Sequence, residues 1–175
     1  MGNHPNDKQV RKTILSALKH NGTQKHVNYF IVDTQKWLAE NPNDIEVRAA
    51  YLSLVNVRGT AALISNVIRE THSWLAMRED EVEVRKNYIV LIEWHGSLEE
   101  KRKLIDELVV WLKDKTGNVQ IRMRCLYLTA KVGTTSQREK LISSTQLWLS
   151  TNTSKSIEEA YSLLLNSTEH KTQEV

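Results

Sequence analysis

The dipeptide Trp-Leu occurs at Trp37-Leu38, Trp74-Leu75, Trp111-Leu112 and Trp148-Leu149, at three equal intervals of 37 residues. A fixed period of roughly 20–50 residues marks a stacked repeat array, because one unit alone cannot cover its own apolar face. Other columns keep the same clock: Gly22, Gly59, Gly96 and Gly133; Arg11, Arg48, Arg85 and Arg122; Ile31, Ile68, Ile105 and Ile142. Four columns in phase over nearly the whole chain restrict it to an all-α fold, an α-solenoid of helix-turn-helix units.

Each unit reads as two helices. The first starts behind a capping residue, taken as Asp7, Asp44, Asp80 or Asn118, whose side-chain oxygen can accept an orphan N–H of the first turn. Apolar residues follow at helical spacing, as in Val47, Tyr51, Leu52, Leu54 and Val55. The helix is expected to stop at the Gly column, with glycine taking the left-handed conformation that follows many helix ends. Directly after each Gly stands a new cap: Thr23, Thr60, Ser97 and Thr134, with Ser97 and Glu100 forming a capping box. The second helix carries Ile-x-x-Thr-x-x-Trp-Leu, which places these residues on one face. Leu108 replaces Thr in the third copy. The spacing predicts nine helices, near 7–20, 23–40, 44–58, 60–77, 81–95, 97–115, 118–132, 134–151 and 155–167, or four and a half repeats. The last unit is one residue short and has Glu158 in the Arg column, as an end cap would. Residues 1–166 are thus read as one repeat domain, and 167–175, without apolar periodicity, as a disordered tail.

Composition narrows the setting. Among 175 residues there are 2 Pro and 6 Gly, as suits helices joined by tight turns, and the net charge is +3. Residues 1–36 carry six Lys/Arg against Asp7 and Asp33, so that stretch is +4 and the remainder −1. The single Cys125 falls in an apolar column and implies a reducing compartment. No long apolar run or leader-like start is present, so a cytoplasmic protein is expected, with no membrane partner. The chain opens where a preceding Trp-Leu would fall, from which an upstream continuation is expected. That break should uncover Val10, Ile14, Leu15 and Leu18 on the first helix and favour self-association through this end.

Trp37-Leu38-Ala39-Glu40-Asn41-Pro42, together with the Gly that closes each first helix, resembles the tetratricopeptide (TPR) repeat. The resemblance implies a right-handed solenoid whose first helices line a concave face. The present unit is three residues longer than the family's 34, with Trp where the family has a small Ala and Arg where it has a large aromatic. Arrays of this period with Trp-Leu and Val-Arg-x-x-Tyr-Leu patterns also resemble the C-terminal repeats of bacterial STAND or NACHT-type signalling proteins. That likeness implies a sensor or scaffold domain in a larger protein.

No catalytic constellation is present. His4, His20, His26, His72, His95 and His170 show no metal-ligand spacing, and no Gly-rich phosphate loop occurs. The expectation is a non-enzymatic module that binds a protein or peptide and takes no cofactor or metal. A nucleic-acid-binding helical repeat is the alternative, favoured by the basic first unit and opposed by the near-neutral remainder. The Arg column is read as packing, with each stem over a Trp ring and its head near an acid; a line of guanidinium groups facing an acidic ligand is the alternative. Partner recognition falls to first-helix positions that vary between copies: Lys12, Ser16, Lys19 and His20; Ala49, Ser53 and Asn56; Lys86, Val90, Glu93 and Trp94; Met123, Tyr127, Ala130 and Lys131. Trp94, off the 37-residue clock, is the expected anchor, partly exposed beside Tyr127 and Lys131.

Overall fold

The computed structural model describes residues 7–115 and 117–169. Those residues form nine α-helices and no strand: α1 (Lys8–Asn21), α2 (Gln24–Glu40), α3 (Ile45–Arg58), α4 (Ala61–Ala76), α5 (Val82–His95), α6 (Leu98–Asp114), α7 (Val119–Val132), α8 (Thr135–Leu149) and α9 (Lys155–Glu169). Odd-numbered helices are the first of each unit and even-numbered ones the second. The arrangement is an all-α helical repeat. None of the helices is long and apolar enough to cross a membrane.

The chain divides into two compact units at His95/Gly96. In the first, α3 packs between α1 and α5, while α2 lies against α3 and α4 against α5. Its buried interior includes Leu15, Val27, Val47, Leu52, Leu54 and Ile89. In the second, α7 packs on α9, α6 lies against α7, and α8 against α9. Leu104, Ile105, Ile121, Leu126, Leu141 and Ile157 are buried there. The same rule serves both units: a first helix stacks on the next first helix, and each second helix covers the one that follows it.

Helix starts follow the caps closely. The Thr23, Thr60, Ser97 and Thr134 side chains each accept from a first-turn N–H, and Ser97–Glu100 closes a capping box. Thr134–Gln137 forms a second box. Asp7, Asn118 and Asp44 cap α1, α7 and α3. Asp80 does not occupy the equivalent place in α5. The 37-residue register runs 7, 44, 81, 118, and the Arg85 N–H bonds the Glu81 carbonyl at 3.0 Å, as that of Arg48 bonds Asp44 at 3.1 Å. Glu81 therefore stands at the cap position, one residue after the expected Asp80.

The glycines work differently from the left-handed stop expected of them. Gly22, Gly59 and Gly133 have φ of −80°, −70° and −64°, and none of the described glycines has positive φ. What each needs is the absence of a Cβ. The Gly59 N–H bonds the Val55 carbonyl at 2.8 Å, and the chain then enters the next cap without a spacer. A Cβ on Gly59 would lie 2.5 Å from that same oxygen, and one on Gly133 would lie 2.6 Å from the Thr129 oxygen.

Two expectations at the ends change. Helix α9 continues to Glu169, so the tail placed at 167–175 loses its first three residues to the helix, and 170–175 lie outside the described residues. On α1 only Val10 is well exposed; Leu15 is fully buried and Ile14 and Leu18 are half-buried. Leu15 faces inward because α1 packs along α3, which covers most of the stripe expected to be open. Within the capping segment, His4, Pro5 and Asn6 lie outside the described residues.

Candidate interaction surface

The Arg column is built into the packing. Arg11, Arg85 and Arg122 are buried and Arg48 is half-buried. The guanidinium carbons of Arg11, Arg48 and Arg122 stand 4.9, 4.7 and 5.5 Å from the ring centroids of Trp37, Trp74 and Trp148. Each Arg thus stacks on the Trp 26 residues later, in the second helix of its own unit. Stacking lets a delocalised cation enter a dry interface while its edge N–H groups seek oxygen. Arg11 bonds Asp33 and reaches Thr34 Oγ1 at 3.5 Å. Arg85 reaches the Glu79 carbonyl, and Arg122 the Leu112 carbonyl, each at 3.4 Å. A column occupied in this way is structural and presents no line of cations to a ligand.

The Trp column is likewise interior. Trp74, Trp111 and Trp148 are buried and Trp37 is half-buried. Trp37 Nε1 donates to Asp44 and Trp74 Nε1 to the Pro42 carbonyl at 2.9 Å, so both indoles also fix the junction between the first and second repeats. Trp94 is the exception, 72% exposed at the end of α5.

In the first unit, α1 and α5 flank α3, which groups several of the expected partner positions. Lys12 and Lys8 converge on Glu46 at 2.9 and 3.7 Å, and that pairing holds the Glu46 carboxyl below its usual pKa. Lys19 donates to Ser53 at 2.9 Å. Ser16 and His20 are exposed, Ala49 and Val90 half-buried, and Lys86 pairs with Glu83 at 2.6 Å. Near Trp94, His95 Nε2 hydrogen-bonds the Asn56 carbonyl at 2.9 Å, which ties the end of α5 to α3. Val57, one period before Trp94, is 50% exposed, and the Asn56 side-chain oxygen is buried without a hydrogen-bond partner. Glu93 is half-buried. In the second unit, Met123, Tyr127 and Ala130 on α7 are half-buried and Lys131 is exposed.

Sequence reasoning missed a cleft of about 670 Å³ between α2 and α4. Leu38, Val67, Trp74 and Met77 supply apolar walls, and Arg48 and Tyr51 of α3 lie at its base. Arg48 has no hydrogen bond or ion pair to its side chain among the described residues, and its Nε is buried. Burial, and then the charge of Arg78 on the other contact of Trp74 at 4.8 Å, lower its pKa. The Tyr51 hydroxyl is also buried; burial raises its pKa strongly, and hydrogen bonding with the Gln35 side chain, which lines the same cleft, offsets a part. The only trace of this in the sequence is Glu70, which stands one period after Asp33; its charge favours the Arg48 cation, though no ion pair closes between them among the described residues.

Cys125 is fully buried, and burial pushes its thiol up to about 12. It is held as the inert thiol, not as a nucleophile. Among the described residues no three His, Cys, Asp or Glu side chains gather in a metal-binding group. No protein-family model matches this chain, and no curated protein or solved structure matches it.

Proposed function

We propose that the chain is a non-enzymatic interaction module that takes a protein or peptide partner on the α3–α5 surface of its first unit. One observation carries the reading: the Trp off the repeat clock is 72% exposed, while the buried members of the repeat column are at most 8% exposed. An indole left in water, with half-exposed Val57 one period before it, has the makeup of a binding anchor. The sequence resemblance alone supports the finer reading, a TPR-like sensor or scaffold segment of a larger signalling protein. Against the nucleic-acid alternative, Lys8, Lys12 and Lys19 of the basic first helix are already engaged within the unit.

The test compares the wild-type chain with Trp94→Ala, each carrying a photo-crosslinker at position 57. Partners captured by the wild type should be lost from the variant, while its melting temperature stays unchanged, since exposed substitutions shift stability by no more than about 0.5 kcal/mol. Retained capture, or a variant that melts far lower, would return Trp94 to the packing. Tight, steeply salt-dependent binding of generic single-stranded RNA would replace the protein reading with the nucleic-acid one.

A further inference from the structure

Four columns of the first helices are closed in the second and third repeats. They hold Val47, Tyr51, Leu54 and Val55 on α3 and Val84, Tyr88, Leu91 and Ile92 on α5, all buried. The second helix of the preceding repeat lies against each: α2 against α3, and α4 against α5. On α1 the same columns hold Val10, Ile14, Ala17 and Leu18. Val10 is 45% exposed, Ala17 is exposed, and Ile14 and Leu18 are half-buried. Among the described helices only α3 and α2 of its own repeat pack on α1, so none lies against it as α2 lies against α3. The narrow stripe that α3 leaves open on α1 is thus the continuation of an interface the fold makes twice more in this unit.

The polar junction of that interface has a counterpart as well. Asp44 caps α3 with Oδ1 and accepts the Trp37 indole N–H on Oδ2 at 3.2 Å. Asp7, one period earlier, caps α1 with its own Oδ1. Its Oδ2 is the counterpart of the atom that takes the indole. The occupant's chemistry follows from α2, which brings Ile31, Thr34, Trp37 and Leu38 to one face. A second copy of the chain has no such helix to lend. Its α2, α4, α6 and α8 already lie on α3, α5, α7 and α9.

We propose that the open stripe of α1 docks an amphipathic helix of a partner protein carrying Ile-x-x-Thr-x-x-Trp-Leu. Its apolar residues cover Val10, Ile14, Ala17 and Leu18, and its indole N–H donates to Asp7. The assignment is independent of the Trp94 surface, so either can fail alone.

The probe is a fluorescent peptide of residues 23–43, stapled between positions 25 and 29, which α2 leaves exposed, so that it is helical before binding. Titrating the full chain should raise its anisotropy saturably, and a peptide of scrambled order should not respond. Ala17→Glu in the chain places a charge in the stripe and should weaken binding at least about tenfold with the melting temperature unchanged. Asp7→Asn keeps a capping oxygen, as Asn118 caps α7, but replaces the second acceptor with a donor. It should weaken the peptide about fivefold. A peptide with Trp37→Phe, which has no indole N–H, should bind wild type and Asp7→Asn equally. Absence of saturable binding, equal binding of the scrambled peptide, or unchanged affinity in Ala17→Glu would overturn the proposal. The last result would mean that the peptide displaces α2 from α3. A dimer of the chain that Ala17→Glu dissolves, without peptide binding, would give the stripe to a second α1 and also overturn it.

Discussion

The two units use the same repeat and close it differently. In the second, α6 and α8 meet directly: the Gln137 side chain donates to the Arg102 carbonyl at 2.8 Å. Both second helices there also clamp α7, through Arg102 to the Val132 carbonyl and through Arg138 to the Thr129 and Ala130 carbonyls. Two periods earlier, Leu63 and Ile64 stand where Gln137 and Arg138 do, and Asn28 stands where Arg102 does. None of those three makes the corresponding bond, and α2 and α4 leave the cleft over Arg48 and Tyr51. The first unit instead secures its helix ends from the neighbouring first helices, with Arg58 bonding the Leu18 and Gly22 carbonyls and His95 bonding Asn56. In the second unit a long polar side chain thus joins the two second helices, and two arginines from them satisfy carbonyls at the C-terminal end of α7, while the 37-residue columns recur in both units.

The comparison can be broken at several places. The largest effect should come from the Trp column. Trp74→Ala and Trp148→Ala should each cost about 3–5 kcal/mol by urea unfolding. Trp74 should be the costlier, because it stands in an interior repeat, whereas Trp148 precedes the atypical last one. A smaller loss at Trp74 than at Trp148 would contradict an array that is weakest at that end.

Next comes the clamp. Arg138 is buried, and beyond α7 it reaches the Ser167 carbonyl at 3.0 Å. Arg138→Met should cost about 2–3 kcal/mol by leaving helix-end carbonyls unpaired. Hydrogen exchange should quicken at the ends of α7 and α9 and stay unchanged in α1 to α5. Faster exchange throughout the first unit would contradict two separately closed units.

Gly133→Ala, forced against the Thr129 oxygen, should cost about 1–3 kcal/mol, whereas Gly117→Ala, with nothing within 4 Å of its new Cβ, should stay within about 0.5 kcal/mol. Equal melting points for the two would show that the first turn relaxes freely.

The smallest effect is electrostatic and belongs to the first unit. The Glu46 pKa is lowered in the fold, mainly by its hydrogen bond and charge pairing with Lys12, and then by Lys8. The folded state therefore binds that proton less readily than the unfolded chain does. The resulting stabilisation is present above the unfolded carboxyl value and is lost as pH falls through the lowered one. Glu46→Gln should melt slightly below wild type at pH 7 and together with it at pH 2.5. A difference that persists at the lower pH would assign the effect to packing.

Much of this was legible in the sequence because the period reports packing. The Trp, Ile and Arg columns located every helix to within two or so residues, and Thr23, Thr60, Ser97 and Thr134 marked their second helices by local hydrogen bonding alone. Trp94, singled out by its place off the clock, is exposed. Other features escaped. Asp80 looked like the better cap chemically, but the register of α5 is fixed by burial of Val84, Arg85 and Tyr88, which places Glu81 there. The glycines suggested a left-handed turn, whereas the constraint is a carbonyl oxygen at contact distance, a three-dimensional fact invisible in a one-residue signal. The cleft escaped because whether two second helices meet is decided by residues off the repeat columns, such as Gln137 and Arg102, 35 residues apart.

If Arg11, Arg48 and Arg122 hold their repeats together by stacking on Trp37, Trp74 and Trp148, the two side chains of each pair must be energetically coupled. A double-mutant cycle on Arg122 and Trp148, using Arg122→Gln and Trp148→Leu, measures that contact directly, with Arg48→Gln and Trp74→Leu as the comparison. The coupling should be about 1–2 kcal/mol for the buried pair Arg122–Trp148, and about 0.5–1 kcal/mol for Arg48–Trp74, whose Arg is only half-buried. Additivity within about 0.3 kcal/mol in both cycles would contradict it, and would reopen the column as a set of cations held for a ligand.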